Sequence, residues 1–320
     1  MKLLSSIVNG SCEGFCFIKS CEVKVNRNKN EYLDMILADA EGEVNAKLWD
    51  YSKERFGTFT PDTVIKVRGT VDTWNGQVQL KIERIRRATD ADDVKISDLT
   101  PCAPMTSEAM YNEIIKTAEG LDDKDYTALI KTVFEENKSE ILRCAAAVRM
   151  HHAVSGGLLY HTLAVMRAAD ALTKVYPFLD RDLVITGAVM HDVEKINELA
   201  FGDTGIASGY TVKGNLLGHI AGGVSMLQKY AEQTNLPEEK LLLIQHILLS
   251  HHSEPEFGSP VPPMFPEAAV VAALDNLDAH LFEMCAATAD IPAGEMTPSR
   301  IFGLDRKLYK VKEGIKYSIS

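Results

Sequence analysis

The pattern of hydrophobic and polar positions divides the chain in two. Through roughly the first ninety residues, apolar and polar positions alternate in short runs. These are Phe15–Val25, Tyr32–Ala38, Val44–Trp49, Thr63–Thr73 and Val78–Ile85, each rich in Val, Ile or aromatics, and they predict strands. Turn-forming residues separate them at Asn26–Asn30, Glu41-Gly42 and Asn75-Gly76. Asn75-Gly76 is a strong hairpin signal, because a type I′ turn needs positive φ at both central residues. From about Ser107 the period lengthens to that of helices. Thr106 and Ser107 can cap a helix through Thr117, and Asp123–Cys144 places Leu129, Ile130, Val133 and Phe134 on one face. After Gly156-Gly157 the helical stretches are Leu159–Val175, Arg181–Ile196, Leu216–Gln233, Glu238–His251 and Glu267–Thr288. Pro177, the Gly-rich Phe201–Tyr210 loop, Pro237 and the Pro-rich Ser253–Pro266 segment interrupt them.

Five strands in this space fit a small closed barrel, of which the oligonucleotide-binding (OB) fold is the common version; an SH3-like barrel has the same signature. The reading is a multidomain chain: an all-β OB-fold barrel over residues 1–89, a helical linker over 90–150, and an all-α domain over 151–320. There is no internal repeat and no low-complexity tract.

Composition sharpens this division. The 320 residues are 46% hydrophobic and 25% charged, as in a soluble globular chain. The longest apolar run, Leu241–Leu249, is broken by Gln245 and His246, so no membrane helix is expected. Met1–Val8 is too short in apolar residues for a secretory signal, which leaves the cytoplasm as the expected compartment. Six cysteines without a close pair predict reduced thiols rather than a disulfide scaffold or zinc ribbon. The net charge of −11 argues against a broad basic surface for gripping duplex nucleic acid. Residues 1–89 hold fourteen Lys/Arg against twelve Asp/Glu, a net of +2, and the remainder holds twenty against thirty-three, a net of −13. All nine histidines lie between His151 and His280.

Those histidines carry the chemistry. Metal-binding side chains occur in the order His161, His191-Asp192, His219, His251-His252, Asp275, each in or at the end of a different predicted helix. Imidazoles and carboxylates from facing helices converge in bundle cores and suit divalent transition metals. One histidine alone is more often a core or cap residue; five helices each contributing a ligand type are not so explained. Seven groups exceed what one ion takes from protein, so two ions sharing a bridging Asp is the natural arrangement. The mixed nitrogen and oxygen set disfavours Mg²⁺ and favours Mn²⁺, with Fe, Co or Ni as alternatives. Lys195, three and four residues after the His191-Asp192 pair, shares its helix face and can reach a phosphate oxygen.

The H…HD…H…HH…D order resembles the HD-domain metal-dependent phosphohydrolases. Within them, His151-His152-Ala153, Gly156-Gly157-Leu158-Leu159, His161-Thr162, Gly214-Asn215-Leu216-Leu217-Gly218-His219, Ser250-His251-His252, Gly258-Ser259-Pro260 and Asp275-Asn276-Leu277-Asp278-Ala279 resemble the YhaM-type 3′–5′ exoribonucleases. That family places an OB fold before the HD domain, and the similarity runs from about Gly14 to Leu304. The resemblance implies that His161, His191, Asp192 and Asp275 surround one metal and that Asp192 bridges to a second held by His219, His251 and His252. It also implies that Asp278 orients a neighbour and that His151 and His152 approach either the substrate phosphate or the core. His246 and His280 are read as structural. In two places the chain departs from the family, with Glu194 and Ser253 where Gly is usual. A carboxylate at Glu194 would compete for Lys195.

The expected function is therefore a 3′–5′ exoribonuclease that hydrolyses single-stranded RNA, with single-stranded DNA as a further substrate, to 5′-nucleoside monophosphates. Asp192 and Lys195 are its candidate catalytic residues. The alternative is an HD phosphohydrolase acting on nucleotides or cyclic dinucleotides. On the barrel, Trp49 and Trp74, with Phe15, Phe17 or Tyr32, are candidate stacking platforms, and Lys47, Arg68 and Lys81 are candidate phosphate partners. The Phe201–Tyr210 loop reads as either a mobile cover or an ordinary surface loop, and a homo-oligomer is compatible with the sequence.

Overall fold

Alternation closes into a barrel because each strand buries one face. The computed structural model describes residues 2–7, 10–74, 77–92, 94–95, 98–100, 102–148 and 154–312. The strands are β1 (Ser11–Val25), β2 (Glu31–Asp39), β3 (Gly42–Leu48), β4 (Val64–Trp74) and β5 (Gln77–Arg87), with the short helix α1 (Lys53–Phe56) between β3 and β4. Their order is β1-β2-β3-β5-β4, closing on β1. All pairings are antiparallel except β3 with β5. Inward positions are apolar at every second residue: Cys16 and Ile18, Leu33, Met35 and Leu37, Ala46 and Leu48, Ile65 and Val67, Leu80 and Ile82 are all buried. The Asn75-Gly76 turn lies outside the described residues, but the register of Trp74 with Gln77 on either side fits a two-residue hairpin. Midway along that hairpin, between Arg68 and Gly69, the register slips by one residue in a β-bulge. Gly69 is needed there, since a Cβ would stand 2.2 Å from the Lys81 carbonyl oxygen.

The chain forms two compact units, residues 1–102 with 201–208 and residues 103–200 with 209–320. The 90–150 stretch is thus shared, its first part lying with the barrel and its helices with the second unit. The loop after Phe201 is neither a free cover nor a plain surface loop. Strands β6 (Leu199–Phe201) and β7 (Ala207–Tyr210) flank it, and its tip folds with the barrel. The buried Asp62 carboxylate accepts hydrogen bonds from the Gly202 N–H and the Thr204 hydroxyl, while the Val64 N–H donates to Asp203 Oδ2 at 3.2 Å.

The second unit is helical. Its elements are α2 (Ser107–Glu119), α3 (Lys124–Glu136), α4 (Lys138–Ile141), α5 (Gly157–Val175), α6 (Arg181–Met190), α7 (Lys195–Glu198), α8 (Val212–Thr234), α9 (Glu238–Ser250) and α10 (Pro266–Thr288). Thr106, Asp123, Asp180 and Thr211 cap α2, α3, α6 and α8 by accepting backbone N–H bonds. The apolar face expected on α3, Leu129, Ile130, Val133 and Phe134, is buried. The single helix expected over Asp123–Cys144 breaks at Asn137, whose side-chain amide bonds the Val133 carbonyl and the Tyr230 hydroxyl. Helix α6 is buried at every residue from Leu183 to Met190, which makes it the centre of the bundle. It stops at Met190 rather than Ile196, because tight i→i−3 bonds from Val193 to Met190 and from Lys195 to Asp192 turn the chain there. That turn delivers His191 and Asp192 into the interior. Among the described residues no helix is long and apolar enough to cross a membrane, and all six cysteines are free thiols.

Candidate metal centre and nucleic-acid interface

His161, His251 and Asp275 reach the interior because the apolar period of their helices points them there. On α9, Ile244, Ile247 and Leu248 are buried, and the same face continues to His251 just beyond the helix end. On α10, Ala268, Val271, Ala272 and Asp275 form one inner stripe. His161 lies among the buried residues of α5. His219 needs a special backbone. Gly218, inside α8, has φ 67°, a left-handed value that breaks the helical path just before His219. The His219 N–H consequently turns to Glu198 Oε1 at 3.0 Å.

Among the described residues, two groups of potential ligands emerge, His161, His191, Asp192 and Asp275 in one and His219, His251 and His252 in the other. Asp192 stands between them with one oxygen toward each. Its Oδ2 lies 3.5 Å from His161 Nε2 and 3.4 Å from His191 Nε2, and its Oδ1 lies 3.5 Å from His219 Nε2 and 3.7 Å from His251 Nε2. Asp275 Oδ1 completes the first group at 3.2 Å from His161 Nε2. His252 packs edge-on against both His219 and His251.

Four of the imidazoles are oriented by their far nitrogens. His191 Nδ1 donates to the Ala188 carbonyl at 2.9 Å and His251 Nδ1 to the Leu248 carbonyl at 2.7 Å. His161 Nδ1 faces Asp278 Oδ2 at 2.7 Å, and His219 Nδ1 faces both Glu198 oxygens at 3.1 Å. With Nδ1 donating to a carbonyl, His191 and His251 each turn an Nε2 lone pair inward. His161 Nε2 and His191 Nε2 then face each other at 3.1 Å, a contact that needs a cation or a proton between them. In the second group Asp192 Oδ1, His219 Nε2 and His251 Nε2 are buried without a hydrogen-bond partner among the described residues. Three orphaned acceptors facing one point are costly in a protein interior and are what a bound divalent cation would satisfy. The donor set fits such an ion.

Electrostatics agree. Burial opposes a charge on Asp192, but Lys195, His191 and His219 overcome it and hold its carboxyl well below the usual range. Burial likewise opposes protonation of His161, and Asp275 and Asp278 outweigh it, pushing its pKa up to about 10. The site is thus a strong cation well. Lys195 Nζ lies 2.7 Å from Asp192 Oδ2, and its ammonium is held above its ordinary pKa by that carboxylate despite burial. Glu194 does not compete for it. The Glu194 carboxylate turns away to Lys213 Nζ and the Asn197 amide, packing against Gly222.

A cleft of about 520 Å³ opens onto this centre, bordered by Lys195, His219, His252, Asp275, Tyr210 and His280. His280, expected to be structural, stands on its wall. His246 accepts the Met264 N–H at 3.0 Å and packs on Phe265, anchoring the loop before α10. His151 and His152 lie outside the described residues. Glu198 was not foreseen; it follows Lys195 by one turn, but its partner His219 is twenty-one residues away, and nothing local marks the pairing. Replacing Glu198 with Ala should weaken divalent-metal binding by about 10–100-fold through loss of His219 orientation. Titration of the metal-stripped protein by calorimetry measures this, and equal affinity in the variant would remove Glu198 from the account.

On the barrel, the structure separates the candidate residues. Trp49 stacks on Tyr32 with centroids 4.6 Å apart, and Lys47 Nζ stands 5.4–5.5 Å from both rings. Trp49 remains 36% exposed, enough to offer a face to a base. Phe15 is buried with Val64 and Leu99 and is not a platform, and Phe17 is half-covered by the same cluster. Trp74 lies on β4, with its side chain outside the described residues. Arg68 is on β4 as well, facing Arg84 of β5 rather than Trp49.

Comparison with known proteins adds the lineage. The HD domain family model matches residues 158–280, and that of an OB-fold nucleic acid binding domain matches residues 18–88. The 3′–5′ exoribonuclease YhaM of Bacillus subtilis is 35% identical over 304 residues, covering 95% of this chain and 96% of that protein. The 3′–5′ exoribonuclease YhaM of Bacillus licheniformis is 35% identical over 297 residues, covering 92% of this chain and 93% of its own length. Among solved structures, the single-stranded DNA binding protein from Thermus aquaticus overlaps 25% of this chain and 40% of its own at 13% identity, with a TM-score of 0.23.

Proposed function

This chain belongs to the YhaM-type 3′–5′ exoribonuclease family, and on that premise we propose that it hydrolyses single-stranded RNA from the 3′ end to 5′-nucleoside monophosphates, with single-stranded DNA as a further substrate. The observation that carries the reading is the placement of Asp192, one oxygen toward each of two groups of potential ligands, so that this carboxylate would serve divalent metal held by either group. His161, His191 and Asp275 would complete one position, and His219, His251 and His252 the other. Ions of the Mn²⁺ type would supply Lewis acidity toward phosphate oxygens and lower the pKa of water to near neutrality.

The protein's own residues do the rest. Backbone carbonyls behind His191 and His251 fix their tautomers, so each of these two rings presents an Nε2 lone pair without a change of tautomer. Lys195, at the cleft and already charged, offsets negative charge as it builds on the scissile phosphate. The walls of the cleft hold the terminal nucleotide, with Tyr210 a ring on which its base can lie. Trp49, Tyr32 and Lys47 support capture of the single strand by stacking and charge. An RNA substrate and unpaired cysteines both fit a cytoplasmic protein.

Trp49→Ala tests the link between barrel and substrate. The ratio of RNA turnover to turnover of a small phosphodiester should fall by about 5–150-fold, from the loss of about 1–3 kcal/mol of stacking. An unchanged ratio, with efficient cleavage of cyclic dinucleotides, would instead favour a small-nucleotide hydrolase.

A further inference from the structure

On a different wall of the barrel lies a groove of about 660 Å³ that the stacking site does not use. It is bordered by Arg55 of α1, Lys66 and Arg68 of β4, and Arg84 and Arg86 of β5. The cations of β4 and β5 sit directly opposite one another, Lys66 with Arg86 and Arg68 with Arg84. Like charges in register across an antiparallel pair destabilise a sheet. The β-bulge creates both pairs. Pairing from Trp74–Gln77 down to Gly69–Ile82 runs in one register, which, if continued, would set Arg68 against Glu83 and Lys66 against Ile85. The extra residue at Glu83 shifts the register and replaces an attractive pair with a repulsive one. Bulges are often built to re-aim side chains near functional sites.

Carboxylates relieve only part of this charge. Lys66 reaches Glu13 at 3.2 Å, and Arg86 is held by Asp92. Glu83 also borders the groove, yet among the described residues neither Arg68 nor Arg84 forms a salt bridge. Between the groove and the stacking face, Lys47 of β3 pairs with Lys81 of β5 and Lys81 with Thr70 of β4, two residues from Arg68, so cationic residues lie on the strands that separate them.

We infer that this groove is a second nucleic-acid site, a phosphate track in which Arg68 and Arg84 together hold the backbone of the single strand whose bases stack at Tyr32 and Trp49. The inference rests on the RNA reading above. A single strand is the occupant that fits, since a flexible backbone can cross strands β3, β5 and β4 about 4.8 Å apart, whereas the near-neutral barrel lacks the breadth of charge a duplex grip requires.

The test is binding of a fluorescein-labelled 20-nucleotide RNA to the full chain in EDTA, followed by anisotropy across a salt series. R68Q/R84Q should bind about tenfold more weakly at low salt, and the slope of log affinity against log salt should become shallower by about 1.4, two phosphate contacts at about 0.7 each. R68K/R84K should keep the wild-type slope. The thermal midpoint of R68Q/R84Q without RNA should equal or exceed that of the wild type, because neutralisation relieves the facing charges. Unchanged affinity and slope overturn the track. So does weaker binding accompanied by a lowered midpoint in both variants, which would mark the arginines as structural, and so does a loss seen only with duplex RNA. Wild-type protein given Mn²⁺ and the same strand is read separately. Intact RNA there would end the nuclease reading while leaving the salt slopes interpretable.

Discussion

Asp192→Ala is expected to reduce RNA hydrolysis by at least about 10³-fold, the upper range for removing one group that stabilises transition-state charge. Three facts make this the most damaging single change. Asp192 is the only one of these carboxylates, among the described residues, with an oxygen toward both ligand groups. It is 2% exposed, so its charge acts on its neighbours with little solvent screening. It also neutralises Lys195, whose ammonium would otherwise be a buried charge without its carboxylate. Loss of one partner of a buried pair costs about 3–5 kcal/mol, so part of the effect could come from misfolding. Asp192→Asn separates the two, because the amide keeps the volume and can still accept from Lys195 through its oxygen. Activity should stay lost in the Asn variant while its circular dichroism and thermal midpoint stay closer to wild type than those of the Ala variant. Full activity in Asp192→Asn would remove the carboxylate from the mechanism.

Metal removal carries the second largest effect, and it is read without any substrate. The buried, unpartnered Asp192 Oδ1, His219 Nε2 and His251 Nε2 destabilise the metal-free fold. A divalent ion that binds only the folded state stabilises it by about 2.7 kcal/mol at a hundredfold excess over Kd. For a helical unit of this size that corresponds to a rise of about 5–10 °C in its melting transition, measured by scanning calorimetry with Mn²⁺ and again with EDTA. The transition of the barrel should not move, since neither ligand group includes a barrel residue. Identical melting with and without metal would contradict the assignment of these side chains as ligands.

The fold was readable where a local rule and a burial rule agree. Strand alternation on either side of Asn75-Gly76 made the antiparallel pairing of β4 with β5 readable, and Thr106, Asp123 and Asp180 are residues that cap helices for a known reason. The convergence of His161, His191, Asp192, His251 and Asp275 was readable too, since each lies on or just past a buried helix face. What escaped is what depends on partners far along the chain. Glu198 meets His219 only because Gly218 breaks α8, and a glycine inside an apolar helix does not by itself announce a left-handed φ. The Phe201–Tyr210 loop looked unconstrained because Asp62, which organises its tip, lies 140 residues away. Counting back from Asn75-Gly76 would pair Arg68 with Glu83, so the repulsive Arg68–Arg84 pairing is visible only once the bulge is seen. Phe15, a strand aromatic like Tyr32, could not be told from a platform until the barrel closed over it.

The proposed activity is hydrolysis of phosphodiester bonds at the 3′ end of a single strand by the centre built around Asp192. The most direct measurement incubates 5′-labelled single-stranded RNA with the purified protein and Mn²⁺, beside Asp192→Asn and a matched DNA strand, and resolves the products by length. The expected result is a ladder shortening from the 3′ end, release of 5′-nucleoside monophosphates, and no ladder in the variant. Intact RNA with metal present, internal cuts, or products ending in a 3′-phosphate would contradict it.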